Sequence, residues 1–288
     1  MSVTTRIQEL NNRLATNLVS KGVSAEGTET TTELINKVND IESGGTSVIN
    51  PEWTDWRHFS YYDNRNDLVA KLKYSDTANG TNFSSMFYTC KELTSMPQVD
   101  TSNGTNFSSM FYACKALTSM PQVDTSNGTN FTEMFYSCTS LTSIPQLDTS
   151  NGKYFGSMFN SCSKLTSVPQ IDTSNGMNFN YMFSSCSSLT SIPLINMSSM
   201  SDTSCINMFY NCTALKNITF EGTIPVRGNM SVFSYSNNLT VESLMSFINA
   251  LTNMNSSATY TITIGSTNLA KLTEEQIQIA TDKRITLQ

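Results

Sequence analysis

The side chains in this sequence that could do chemistry are seven cysteines, one histidine, a column of aspartates and a recurring tyrosine. Cys90, Cys114, Cys138, Cys162 and Cys186 stand 24 residues apart. Cys212 follows the same register, and Cys205 lies in an insertion between them. A disulfide framework uses pairs at varied spacing, whereas one cysteine per repeat means a stacked column of small buried hydrophobes. These thiols read as inert, without the electropositive exposure that activates a nucleophile. His58 is the only histidine. A His-based metal site or a Ser/His/Asp triad would therefore hang on one residue. The chain is expected to be no enzyme, with no catalytic residue, cofactor or metal.

Asp76, Asp100, Asp124, Asp148 and Asp172 repeat with the same period. Carboxylates stacked one strand spacing apart would repel by about 1 kcal/mol per neighbour in water. An Asx turn, in which each Asp accepts N–H bonds from the residues after it, relieves this. A bound cation would need more carboxylates than each repeat supplies. Tyr88, Tyr112, Tyr136 and Tyr210 each follow a repeated phenylalanine, at a place where other repeats carry Asn160 or Ser184. If the Phe points inward, the Tyr points out, and an exposed Tyr row among Ser, Asn and Thr suits sugar rings and their hydroxyls. The alternative is that these rings stack on one another and cover the repeat edge.

What positions these residues is a repeat. Residues 100–123 (DTSNGTNFSSMFYACKALTSMPQV) differ from 76–99 at three of 24 positions, and related blocks begin at Asp124, Asp148 and Asp172. A fixed period in the 20–50 range marks an architecture in which each unit buries its apolar face only against its neighbours. Two Phe columns run from Phe83 to Phe179 and from Phe87 to Phe233, a Met column starts at Met86, and a Leu column runs from Leu93 to Leu239. A sixth unit is irregular, with 26 residues between Cys186 and Cys212, and a seventh is degenerate, with Ser236 at the cysteine position.

Composition narrows the function. The net charge of −6, without a Lys/Arg cluster, excludes a phosphate-tracking surface, so no nucleic acid is expected. No run of about 18 apolar residues is present, so no membrane insertion is expected. The opening MSVTTRIQEL has no apolar stretch behind a basic one, and the expectation is a protein without a signal peptide.

The run Met110-Phe111-Tyr112-Ala113-Cys114-Lys115-Ala116-Leu117-Thr118-Ser119-Met120-Pro121 resembles the BspA-like branch of the leucine-rich repeats. The resemblance covers residues 76–239 and implies a binding scaffold of bacterial surfaces or phage virions. The Asn-Gly-Thr-Asn glycine and the proline in every regular strand segment depart from its pattern. Lys21-Gly22-Val23 with Glu33-Leu34-Ile35-Asn36-Lys37-Val38 is similar to leader modules of phage tail and fibre proteins. Leu239–Leu244 and Gly265–Leu272 look like tails on repeat proteins of phages that infect Gram-positive bacteria.

The expected fold is a mainly β repeat solenoid, leucine-rich-repeat-like with 24-residue turns. A short α-helical N-terminal module precedes it and a small α/β C-terminal cap follows. Residues 1–45 read as two amphipathic helices for attachment and oligomerisation, with Ile7, Leu10 and Leu14 on one face and Leu34, Ile35, Val38 and Ile41 on the other. Residues 46–75, with Trp53, Trp56, Phe59, Tyr61 and Tyr62, read as an aromatic N-terminal cap. The solenoid spans 76–239. Residues 240–288 read as a helix over about 241–253, a strand at Tyr260–Ile264, a helix capped by Thr273-x-x-Gln276 and a closing strand at Ile285–Leu287. The functional expectation is a phage virion structural protein, a tail fibre or receptor-binding protein presenting its repeat surface to host cell-surface glycan or protein. The N-terminal helices would join other virion proteins, and the chain would be a homo-oligomer, a trimer in the favoured form. It would be assembled in the host bacterial cytoplasm and located on the virion. The alternatives are a head fibre or decoration protein and a bacterial surface adhesin.

Overall fold

The computed structural model describes residues 77–288 except 97, 203 and 256. All of them fall in the second of the two units into which the chain divides, Pro51–Gln288. Consecutive 24-residue units lie one on the next. The N–H groups of Phe83, Ser85, Phe87 and Thr89 donate to the carbonyls of Asn106, Ser108, Met110 and Tyr112 at 2.7–2.9 Å. The intervening N–H groups turn inward: Met86 donates to Phe83 O and Cys90 to Phe87 O, both at 3.2 Å. This alternation places Phe83, Met86, Phe87 and Cys90 in the core with no exposure and leaves Ser85, Tyr88 and Thr89 half-buried on the outer side. It also requires two left-handed residues per turn. One column (Ser85, Ser109, Glu133, Ser157, Tyr181, Asn207) has φ of 51–58°, and a second (Thr89 to Tyr235) has φ of 56–64°.

The regular turns hold parallel contact through isolated bridges, such as Asn82 to Asn106 to Asn130 to Tyr154 to Asn178. Continuous strand pairing starts with β1 (Ser191–Asn196) and β2 (Asn217–Glu221), which pair in parallel. Proline explains part of this. Pro121, Pro145, Pro169 and Pro193 have no N–H to donate. In that segment the Gln146 side-chain amide crosses to Gln170 O at 2.6 Å and Gln170 to Leu194 O at 3.2 Å, with Gln122 reaching Gln146 O in the same way.

The phenylalanines form two offset stacks. Rings from Phe83 to Phe179 lie 5.6–5.8 Å apart, and rings from Phe87 to Phe233 lie 5.3–5.7 Å apart. The glycine of each Asn-Gly turn makes room for the first stack. A Cβ on Gly128 would sit 2.5 Å from Phe131 Cζ, and one on Gly176 would sit 2.1 Å from Phe179 Cζ. The sixth turn confirms the coupling. Phe179 N–H donates to Ser204 O as Phe155 N–H donates to Asn178 O, so Cys205 occupies the first phenylalanine column. The two extra residues therefore lie before Cys205, which stands in register. With no ring there, the glycine place is free to hold a side chain, and Met200, buried, fills it.

The cysteine column is a hydrogen-bonded seam. Cys114, Cys138, Cys162 and Cys186 each donate Sγ–H to the carbonyl of the Phe in the preceding turn (Phe87, Phe111, Phe135, Phe159) at 3.0 Å. Ser236 continues the seam by donating to Phe209 O. All seven cysteines are buried. Burial pushes the Cys162 and Cys212 thiols up to about 12, against the lowering effect of their backbone bonds. Burial, and then the neighbouring thiols Cys138 and Cys90, push Cys114 well up too. A buried threonine column ties the opposite side: Thr101, Thr125 and Thr149 donate to the carbonyls of Asp124, Asp148 and Asp172 at 2.6–2.8 Å.

The C-terminal end closes the last turn. Helix α1 (Val241–Ala250), capped by Thr240, lays Leu244, Phe247 and Ile248 on the core. Its Ser243 and Ser246 hydroxyls accept the N–H groups of Ile218 (3.0 Å) and Phe220 (2.7 Å), which end the exposed edge of β2. Phe247 meets Phe233 edge-on at 5.0 Å and ends the ring stack. The helix stops at Ala250, short of 253, because Leu251–Asn253 is strand β5, paired with β3 (Ile224–Val226). Strand β4 (Met230–Ser231), β6 (Tyr260–Thr263) and β7 (Ile285–Leu287) form a parallel sheet. Between the last two lie α2 (Ser266–Leu269) and α3 (Glu274–Asp282), the latter with the Thr273/Gln276 capping box in place. Lys283 Nζ donates to the α1 carbonyls Ile248 O and Asn249 O at 3.0 and 2.8 Å, satisfying that helix end.

Two outcomes follow from this packing. Gly176→Ala is expected to destabilise by about 1–3 kcal/mol through overpacking. In a Phe179→Cys background it should cost less, giving a coupling of about 1 kcal/mol in a urea double-mutant cycle. The second concerns pH. The fold holds the thiols protonated, so this stability is intact below their ordinary value of 9.0 and is lost as pH rises towards about 12. Circular dichroism melts should show a midpoint that falls over that window. Cys162→Ser, which copies Ser236, should make the fall shallower.

Candidate functional site

The outward positions of the Phe-to-Cys arc are the repeated surface available for contact. Tyr88, Tyr112 and Tyr136 sit there on three successive turns, half-buried, with ring centroids 4.7 and 4.6 Å apart and planes within 11°. Each ring face is covered by the next, so the row offers ring edges and hydroxyls rather than open faces. Burial first, and then the neighbouring Tyr136, Tyr88 and Glu133, raise the Tyr112 phenol above its ordinary value. Asn160 and Ser184 end the stack. Tyr210 does not join it: its ring is exposed and meets Tyr235 edge-on, at 5.3 Å and 84°. Of the four tyrosines singled out by spacing, three form one stack and the fourth stands apart.

The aspartates form turns. Asp100, Asp124 and Asp148 each accept both the backbone N–H (2.9–3.0 Å) and the hydroxyl (2.6–2.7 Å) of the serine two residues on. Asp172 accepts the Ser174 N–H at 2.9 Å. Bonds from Ser150 hold the Asp148 carboxyl below the usual carboxylate range. The Asn side chains of the same loops bond across turns, Asn127 to Ser102 O (2.8 Å) and Asn151 to Ser126 O (2.7 Å). Beside them Gln122, Gln146, Gln170, Asp148 and Asp172 line an open hollow of about 590 Å³. Its amides and carboxylates are already engaged within the fold. Among the described residues no group of three or more His, Cys, Asp or Glu is placed to hold a metal ion. Among them, too, no helix is long and apolar enough to cross a membrane.

Ile7, Leu10, Leu14, Leu34, Ile35, Val38 and Ile41, the residues read as an attachment face, lie outside the described residues, as do His58 and the aromatic segment 46–75. The structure adds exposed rings that the tyrosine column does not contain. Tyr181 (41% exposed) and Tyr235 (63% exposed) stand at left-handed positions that hold Ser, Thr, Ala, Glu or Asn in the other turns. Their departure from the column consensus is the signal in the sequence that marks them.

A family model described as "Mycoplasma protein of unknown function, DUF285" matches residues 57–167, 118–222 and 141–258. No curated protein and no solved structure matches the chain. The overlapping matches shift along the chain as a repeat family's do, and together they run from 57 to 258 of 288 residues. The chain belongs to the DUF285 family, in which the BspA-like repeat proteins also fall.

Proposed function

We propose that the chain is a structural binding protein, not a catalyst. In this reading its turns form a leucine-rich-repeat-like solenoid, and the outward face of the Phe-to-Cys arc meets a host cell-surface glycan or protein. The observation that carries it is the same arc presented turn after turn, with a rigid tyrosine stack from Tyr88 to Tyr136 and side chains that are nearly all hydroxyl, amide or aromatic. Rigid aromatics beside adaptable polar groups are what recognition surfaces use. We place the protein on a phage virion, as a tail fibre or receptor-binding protein. Support comes from the resemblance of both ends to phage tail and repeat proteins. Residues 1–45 would then join it to other virion proteins and bring copies together, as a trimer. The family's description as proteins of Mycoplasma favours a second reading, a bacterial surface adhesin built on the same repeat.

Mass spectrometry of density-purified phage particles, with copy number from disrupted virions, separates these. A small multiple of the tail symmetry is the expected result. Hundreds of copies on heads would mean a decoration protein. Absence from particles, with the chain on the surface of the bacterium that encodes it, would overturn the virion reading and establish the adhesin.

A further inference from the structure

Among the described residues the exposed rings are Tyr154, just before the arc of the fourth turn, and Tyr181, Tyr210 and Tyr235 within the arcs of later turns. In the first three turns the tyrosines cover one another. In the fifth to seventh turns Tyr181, Tyr210 and Tyr235 are all exposed, and only the last two touch, edge-on. Tyr181 N–H donates to Ile206 O at 3.0 Å, and Ser185 N–H to Tyr210 O at 2.7 Å, so these rings belong to adjoining turns of one surface.

The amides divide the same way. Asn103, Asn127, Asn151 and Asn175, on the aspartate loops, spend their side chains on the preceding turn. Asn207 and Asn211, between the exposed rings, have no side-chain hydrogen-bond partner among the described residues. Both side chains are half-buried, and their donors and acceptors are uncommitted among the described residues. From Phe179 to Cys186, Cys205 to Cys212 and Met230 to Ser236 there is no charged residue.

Backbone cost points to the same place. Tyr181 and Tyr235 hold φ of 58° and 64°. A left-handed conformation is uncommon for a bulky residue and costs free energy, and such outliers collect at ligand sites. Neither ring is held there by burial in the core, since Tyr181 is 41% and Tyr235 63% exposed. Serine or asparagine fills these positions elsewhere in the stack at lower strain.

We propose that this uncharged arc, built around Tyr181, Tyr210 and Tyr235, binds a neutral saccharide chain. The inference rests on the glycan reading above and moves its site from the stacked tyrosines to the open ones. Open ring faces accept the C–H face of a sugar, and the free amides of Asn207 and Asn211 are spaced among them to bond its hydroxyls. A protein partner would call for a more apolar centre than Ile206 alone supplies. An acidic polymer would call for basic groups, and the arc has none.

The test uses the full chain on an array of immobilised oligosaccharides, neutral (hexose and N-acetylhexosamine) beside sulfated and uronate-bearing. The variants are built from the repeat itself: Tyr181→Asn copies Asn207, Tyr210→Asn copies Asn160, and Tyr235→Asn copies Asn211, so each new residue already stands at that position in another turn. Neutral chains should bind, with affinity unchanged by high salt. The triple variant should lose at least about tenfold in affinity with its urea midpoint retained or raised. Tyr112→Ser with Tyr136→Ser, which dismantles the stacked row of the same face, should lower affinity by less than the triple variant does. Loss of binding in that ladder variant instead, with the triple variant unaffected, would overturn this site and keep the glycan reading. Binding confined to acidic chains would overturn the neutral ligand. No binding to any chain would overturn the saccharide class altogether, and the particle measurement would still decide the virion assignment by itself.

Discussion

Two spacings must be reconciled in every turn of this protein. Backbones joined by parallel hydrogen bonds lie about 4.8 Å apart. Phenylalanine rings on those backbones stack at 5.3–5.8 Å between centroids. The rings meet both conditions by sliding, planes nearly parallel and centres offset, which is also the arrangement their quadrupoles favour. Once offset, a ring reaches sideways into the loop of its own turn. The glycine of Asn-Gly stands where Phe131 Cζ or Phe179 Cζ comes closest. Every regular turn has both residues or, in the sixth, neither. Met200 and Cys205 are thus a paired substitution, and the stack passes through them without losing backbone register.

Stacking of this kind leaves many polar groups between turns, and the repeat assigns a partner to most of them through side chains. A cysteine thiol reaches the Phe carbonyl of the preceding turn, a threonine hydroxyl reaches an Asp carbonyl of the next, and a glutamine amide crosses where proline removed the N–H. Each is a single bond of modest net value, and each recurs with the period. Ser236 shows that the cysteine position selects for a donor as well as for volume, since a hydroxyl makes the same bond. At the last turn the supply of partners from a next unit ends. There α1 substitutes two serine hydroxyls for the missing carbonyls, and Phe247 turns its edge to the final ring.

Much of this was legible in the sequence because it is periodic. The Phe, Met, Cys and Leu columns, the Asx turns and the Thr273/Gln276 box each follow from residue type at a fixed offset. What was not legible depends on backbone conformation. The left-handed residues are carried by Ser, Thr, Ala, Glu, Asn and Tyr without glycine, so no single residue type announces them. Cys205 reads as part of an insertion because spacing counts residues from cysteine to cysteine, whereas hydrogen bonding registers it with Phe179. The α1 boundary shifted because Leu251 and its neighbours suit a helix locally but are claimed by pairing with β3. The tyrosine row could not be resolved into stacked and open members, since that depends on whether the next turn also presents a ring.

Repetition itself limits where specificity can reside. A side chain that recurs at one offset contacts its own copies first, as Tyr88, Tyr112 and Tyr136 do, and its recognition chemistry is partly consumed by its neighbours. Groups free to meet another molecule are those with no matching copy one turn away. Tyr210 has Ser184 on one side and Ser234 on the other, and Tyr181 lies between Ser157 and Asn207. Under the proposed saccharide reading, the near-identical early turns act as spacer and support. In that reading the irregular later turns, where a ring has no stacking copy one turn away and Asn207 and Asn211 have no side-chain partner among the described residues, are where one ligand would be told from another.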